Sequence, residues 1–176
     1  ELSYHLGYPP GGDKPAEALE ALVPGDISAL KERRMRYSLL LAPDGGVLDD
    51  LMVTSTPTGL YVVVNGAAKH QDIAFLRANL PTGVDINHLE DRALLALQGP
   101  AARRRLHAIW PEAAAIGRFH VARMSWNGIE CVVAGTGYTG EAGVEIAVPA
   151  DDAPALWRAL LAAEIMPAGL GARDTL

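Results

Sequence analysis

Apolar residues mass into short runs along this chain, and four of those runs fall into pairs around turn dipeptides. Residues 37–42 and 47–54 flank Asp44-Gly45, and residues 119–126 and 129–134 flank Asn127-Gly128. Both dipeptides favour the positive backbone angles that tight hairpins need. Val-rich residues 60–65 predict a further strand, as do residues 84–87, 93–98 and 143–149. Helical spacing takes over elsewhere. Leu19, Leu22 and Val23 share one side of a helix over residues 16–23, which Pro24-Gly25 ends. Ile73, Leu76 and Leu80 mark a second helix over residues 68–80. Gly99-Pro100 opens a third, reaching Ile109, and Asp151 or Asp152 is placed to cap a last one through Ala163. The segment from Gly7 to Pro15 is dense in Pro and Gly, so residues 1–15 are expected to be irregular.

The order of these elements is strands, helix, strands, helix, strands, helix. With hairpins joining neighbouring strands, that order predicts an α+β fold, helices on one face of mainly antiparallel sheets.

Composition narrows the partners. Of 176 residues 49% are apolar and 20% charged, the balance of an ordinary globular domain. A net charge of -6 argues against nucleic acid as the main partner, because phosphate binding needs a basic surface. The lone Cys131 lies in an apolar run and reads as a buried, inert thiol. No apolar run reaches membrane-spanning length and no leader pattern opens the chain, so a cytoplasmic setting is the expectation. The chain starts without Met and stops at Ala172-Arg-Asp-Thr-Leu176, which reads as the start of a helix and suggests a fragment.

Asp49 and Asp50 stand out, two adjacent acids inside an apolar strand. Burying an ionised acid is costly unless it is paired, so such a group is either held for chemistry or faces solvent at a sheet edge. Residue content alone leaves the two readings even. A two-residue loop at Asp44-Gly45 pairs Leu39 with Asp50 and Tyr37 with Met52, making Tyr37 and Asp50 diagonal neighbours on one face, about 7–8 Å apart. A four-residue loop keeps that parity, and a three-residue loop brings in Asp49 instead.

Gly135-Thr-Gly137-Tyr-Thr-Gly140 matches a dinucleotide-binding pattern, but a strand follows it where that motif needs a helix. The stretch reads better as a tight turn that lets backbone approach a ligand closely. Glu145 points away from the layer of Val144, Ile146 and Val148, and Asn65 closes its strand before Gly66. The five histidines show no metal-ligand spacing, so no metal is expected. Arg103-Arg-Arg105 reads as a solvated helix face.

Together, Tyr37-Ser-Leu-Leu-Leu with Gly45-Gly-Val-Leu-Asp-Asp-Leu-Met-Val53, Tyr61-Val-Val-Val-Asn65, Leu95-Ala-Leu-Gln-Gly-Pro100, Gly137-Tyr-Thr-Gly-Glu141 with Val144-Glu-Ile146, and Gly169-Leu-Gly-Ala-Arg-Asp-Thr-Leu176 closely resemble the T-protein family of the glycine cleavage system. The blocks run in the family's order over roughly residues 16–176. The resemblance implies ferredoxin-like antiparallel sheets, here incomplete, with residues 16–176 forming part of a folate-binding region and the C-terminal domain absent. It implies a tetrahydrofolate-dependent aminomethyltransferase that takes a one-carbon unit from the aminomethyl-lipoyl arm of H-protein and releases ammonia. A non-catalytic folate-binding module and an inactive remnant are the alternatives. Asp50 matches the family's key aspartate, set near folate N10. Tyr37 and Tyr138 match its folate-contacting aromatics, Glu145 its pterin-binding glutamate and Arg173 a folate-steadying arginine, with Asn65 a further contact. Relatives usually carry Arg where Gly135 stands. A fold missing part of its first domain also implies self-association to complete it.

Overall fold

The structure is a computed structural model that describes residues 3–7 and 14–175, leaving out the side chains of residues 3, 4 and 173. The chain divides into two compact units, Glu1–Glu90 and Asp91–Leu176.

In the first unit, apolar residues two apart along neighbouring strands line up on one face. Strands β2 (Met35–Leu41), β3 (Val47–Thr56), β4 (Gly59–Val64), β1 (Ser3–Gly7) and β5 (Asp85–His88) form an antiparallel sheet in the order β2-β3-β4-β1-β5. Leu51 opposes Val64, Val53 opposes Val62 and Leu60 opposes Leu6, and paired residues share a face. Leu19 of helix α1 (Pro15–Glu20) and Ile73 and Leu76 of helix α2 (Lys69–Asn79) close over that face to make one core. Such burial contributes about 1.5–3 kcal/mol per large side chain. The helices fall where helical spacing put them.

Ser3–Gly7 differs from expectation. Residues 1–15 were expected to be irregular, yet Ser3–Gly7 is an inner strand between β4 and β5, with Leu6 fully buried. Leu6 is its one aliphatic residue, and breakers follow it closely, so no local period marks it. Pairing with strands more than fifty residues away creates it. The helix α1 begins at Pro15, a residue suited to a first helical position. Residues 8–13 lie outside the described residues.

The second unit is an antiparallel sheet in the order β6-β9-β8-β7, from β6 (Arg92–Gln98), β7 (Val121–Trp126), β8 (Ile129–Ala134) and β9 (Gly143–Pro149). Asn127 (φ 50°) and Gly128 (φ 85°) join β7 to β8 as the two-residue turn the sequence predicts. Helices α3 (Ala102–His107), α4 (Pro111–Ala114) and α5 (Ala153–Ala162) supply Leu106, Ala113, Leu156 and Leu160 to a core with Leu97, Cys131, Val133, Val144, Ile146 and Val148. Burial raises the Cys131 thiol pKa, as expected of an inert thiol. No side-chain hydrogen bond caps α5; a 3-10 turn over Ala150–Asp152 leads into it instead. A short helix α6 (Leu170–Arg173) follows.

The triple arginine is not a solvated face. Arg103 donates to the carbonyls of Ala114 (2.9 Å), Ile116 (2.5 Å) and Gly143 (3.0 Å), stitching α3 to the α4 segment and to β9. Arg105 reaches the Ala163 carbonyl and pairs with Glu164, and Arg104 alone is exposed. Arg103→Ala should lower the urea midpoint by the equivalent of about 2–3 kcal/mol, because three part-buried carbonyls lose one charged donor, while Arg104→Ala should leave it within about 0.5 kcal/mol. Equal effects of the two would refute this role.

Candidate functional site

The β2–β3 hairpin places the two acids on opposite faces. The Ala42 N–H donates to the Gly46 carbonyl and the Gly45 N–H to the Ala42 carbonyl, so the turn is a three-residue loop with Gly45 at φ 85°. That length by itself would align Asp49 where Asp50 was expected. A bulge restores the register: Leu41 opposes Val47 but Leu40 opposes Asp49, leaving Leu48 as an extra residue on β3. Leu39 therefore opposes Asp50 and Tyr37 opposes Met52, as the two-residue turn would have given.

Asp49 shares the helix-covered face with Ser38, Leu40 and Leu51. Asp50 lies on the other face with Tyr37, Leu39, Met52, Tyr61 and Val63, which no helix of the first core covers. Tyr37 is 54% exposed there, and its phenol interacts with the Asp50 carboxylate. The nearby Asp50 carboxylate, some burial and the charge of Asp49 raise the phenol's pKa, so it keeps its proton.

Asn65, just past β4, ties the acids together. Its backbone N–H donates to Asp49 Oδ2 (3.1 Å) and its Nδ2 to Asp49 Oδ1 (2.8 Å) and to Asp50 Oδ1. Tyr37, Asp50 and Asn65 are thus brought together, with Asp50 a half-buried acceptor on the face opposite the first core.

Asp49 is half-buried and points to the helix-covered side. Against it from α2 comes Asp72, fully buried with both carboxyl oxygens lacking a donor. Burial first, then a hydrogen bond to Asp49 and that acid's negative charge, push the Asp72 pKa up to about 7. Sequence reasoning missed this residue. The signal was present, since Asp72 is one turn before Leu76 and adjacent to Ile73 on the apolar stripe of α2.

In the second unit, Glu145 sits on β9 between Ala96 and Ala134, whose small side chains leave room around its carboxylate. Thr136 donates to Glu145 Oε2 at 2.5 Å. The glycine-rich stretch packs around a side chain of the protein, Gln98. Gln98 donates to the carbonyls of Thr136 (3.1 Å) and Val144 (3.2 Å), and a Cβ on Gly137 or Gly143 would collide with its amide. Gly135 packs on the Gly117 carbonyl with no room for a Cβ, so any side chain there would force the backbone to move. Tyr138 projects from this turn, 55% exposed. The Arg173 side chain lies outside the described residues.

Among the described residues, no helix is long and apolar enough to cross a membrane. The GCVT N-terminal domain matches residues 10–176. Aminomethyltransferase of Chlorobaculum parvum is 41% identical over 176 residues, covering 94% of this chain and 48% of that protein. The same enzyme from Prosthecochloris aestuarii is 42% identical over 168 residues, covering 90% and 46%. The crystal structure of the glycine cleavage system aminomethyltransferase T from Bartonella henselae superimposes with a TM-score of 0.83 at 32% identity, over 99% of this chain and 47% of that one. The chain spans about half the length of the relatives it matches. The α+β fold of two antiparallel sheets, the ordered motifs and these matches agree: the chain belongs to the glycine-cleavage T-protein family of aminomethyltransferases.

Proposed function

We propose that this chain binds tetrahydrofolate and contributes the folate half of an aminomethyltransferase. The observation that carries the reading is Asp50, a half-buried carboxylate held by the Asn65 amide beside the exposed Tyr37, on the face of the first sheet opposite its core. A carboxylate fixed by an amide donor stays where a developing positive charge on a folate nitrogen needs it. Tyr37 and Tyr138 offer exposed aromatic faces for a flat ring. Glu145, with one oxygen engaged by Thr136, keeps its other oxygen to accept from a pterin amino or N–H group. Arg173 is proposed to steady the folate's anionic end.

In the full reaction the carbon of an aminomethyl-lipoyl arm on H-protein passes to N5 and N10 of tetrahydrofolate. Two C–N bonds form, the C–N bond to ammonia and the C–S bond to the lipoyl sulfur break, and the two folate N–H protons leave with ammonia and thiol. A cytoplasmic setting belongs to the same proposal. The alternative reading is a folate-binding module without transferase activity of its own.

Tetrahydrofolate at 100 times its Kd should stabilise the folded chain by about 2.7 kcal/mol, seen as a rise in Tm, and Asp50→Ala or Glu145→Ala should erase the rise. No shift at saturating folate would sink the binding claim. A shift without methylenetetrahydrofolate production from aminomethylated H-protein would select the module.

A further inference from the structure

Asp72 is sealed from solvent, and no donor reaches either carboxyl oxygen. An ionised carboxylate is untenable in such a place. The group that meets it from the helix-covered face of the sheet is another acid, Asp49, and two carboxyl groups can bond only through a shared proton. Asp49 already accepts from Asn65 on both oxygens, so its role in the pair is acceptor and the proton resides on Asp72.

The other charged or titratable groups around the helix-covered face are engaged elsewhere. Arg36 of β2 donates to the Asp26 carbonyl, and His88 of β5 pairs with Glu90 at 3.1 Å. On α1, Glu20 accepts from Ser28 and Glu17 pairs with Lys14. On α2, His70 is exposed and Lys69 lies in the turn before Asp72. Asp49 is the charge that acts on Asp72.

We propose that Asp72 is a positioning residue of the Asp50 site: its carboxylic acid donates to Asp49, Asp49 fixes Asn65, and the Asn65 amide orients the Asp50 carboxylate toward its ligand. The connection to ligand rests on the folate reading; the proton-sharing link does not. Asp72→Asn keeps a donor for Asp49, whereas Asp72→Ala removes it. The side-chain carbon resonance of Asp72 and the amide resonances of Asn65, followed by NMR in the ligand-free chain, report the link directly.

The Asp72 carboxyl should remain protonated at about pH 6, and Asp72→Ala, but not Asp72→Asn, should shift the Asn65 amide signals. Tetrahydrofolate should bind about tenfold more weakly to the alanine variant and within about threefold of the parent for the asparagine variant. An Asp72 carboxyl ionised at pH 6, or Asn65 signals unmoved in Asp72→Ala, overturns the proposal, as does equal loss of folate affinity in both variants. If the parent chain binds no folate while the Asn65 signals respond as expected, the folate reading fails and the proton-sharing link stands.

Discussion

Gly59→Ala is expected to destabilise the first unit by about 4 kcal/mol, a large share of the 5–15 kcal/mol that holds a typical domain folded. Two separate physical effects combine. Gly59 has φ +139°, a backbone conformation that costs an L-residue about 1–3 kcal/mol. A Cβ there would also collide with the Leu6 carbonyl, across the Gly7–Gly59 pair that joins β1 to β4. Relief requires the strands to part, and β5 is paired to β4 only through β1. Gly45→Ala separates the two contributions, since Gly45 has φ +85° and nothing within 4 Å of a new Cβ. It should cost about 1 kcal/mol. Chemical denaturation checks the pair, and equal losses would show that backbone conformation alone matters.

The second large effect is in the pH dependence of stability. Asp72 has a folded pKa of about 7, against an ordinary value of 3.8. Between those values the native state holds a proton that the unfolded chain releases, so stability falls as pH rises from about 4 to 7 and then levels. About three pH units at 1.36 kcal/mol each set a ceiling near 4 kcal/mol. Asp72→Asn carries no such penalty. Its stability relative to the parent should therefore grow by up to about 4 kcal/mol between pH 4 and pH 8, measured by urea midpoints across that range. A constant difference would show that Asp72 ionises as readily in the fold as outside it.

Much of the architecture was legible because its signals are local. The Asn127-Gly128 turn, the apolar stripe of α2 and the alternation along β9 each declare an element within a few residues. What escaped was set by distant partners. Ser3–Gly7 carries a single aliphatic anchor and becomes a strand only between β4 and β5. Arg103 looked solvated until α4 and β9 brought carbonyls to it. At the site, the pairing of Tyr37 with Asp50 was foreseen on the wrong turn length, and the bulge at Leu48 made the register right. Asp72 was overlooked because a lone acid on an apolar stripe reads as noise until its partner acid is seen across the helix–sheet interface. Family membership rested on motifs in order, which survive small local misreadings.

The extra residue at Leu48 also sets a rule for how this gene can change length. With the turn held at three residues, deleting one residue from the loop 43–45, or adding one, would shift β2 by one place against β3 and turn Tyr37 from the Asp50 face to the Asp49 face. Drawing Leu48 into the ladder, which removes the bulge, would shift the pairing by one further place and restore the parity. Insertions and deletions in the hairpin should therefore be tolerated in compensating pairs and rejected singly, so a deletion scan of residues 43–48 would show sign epistasis between turn and strand.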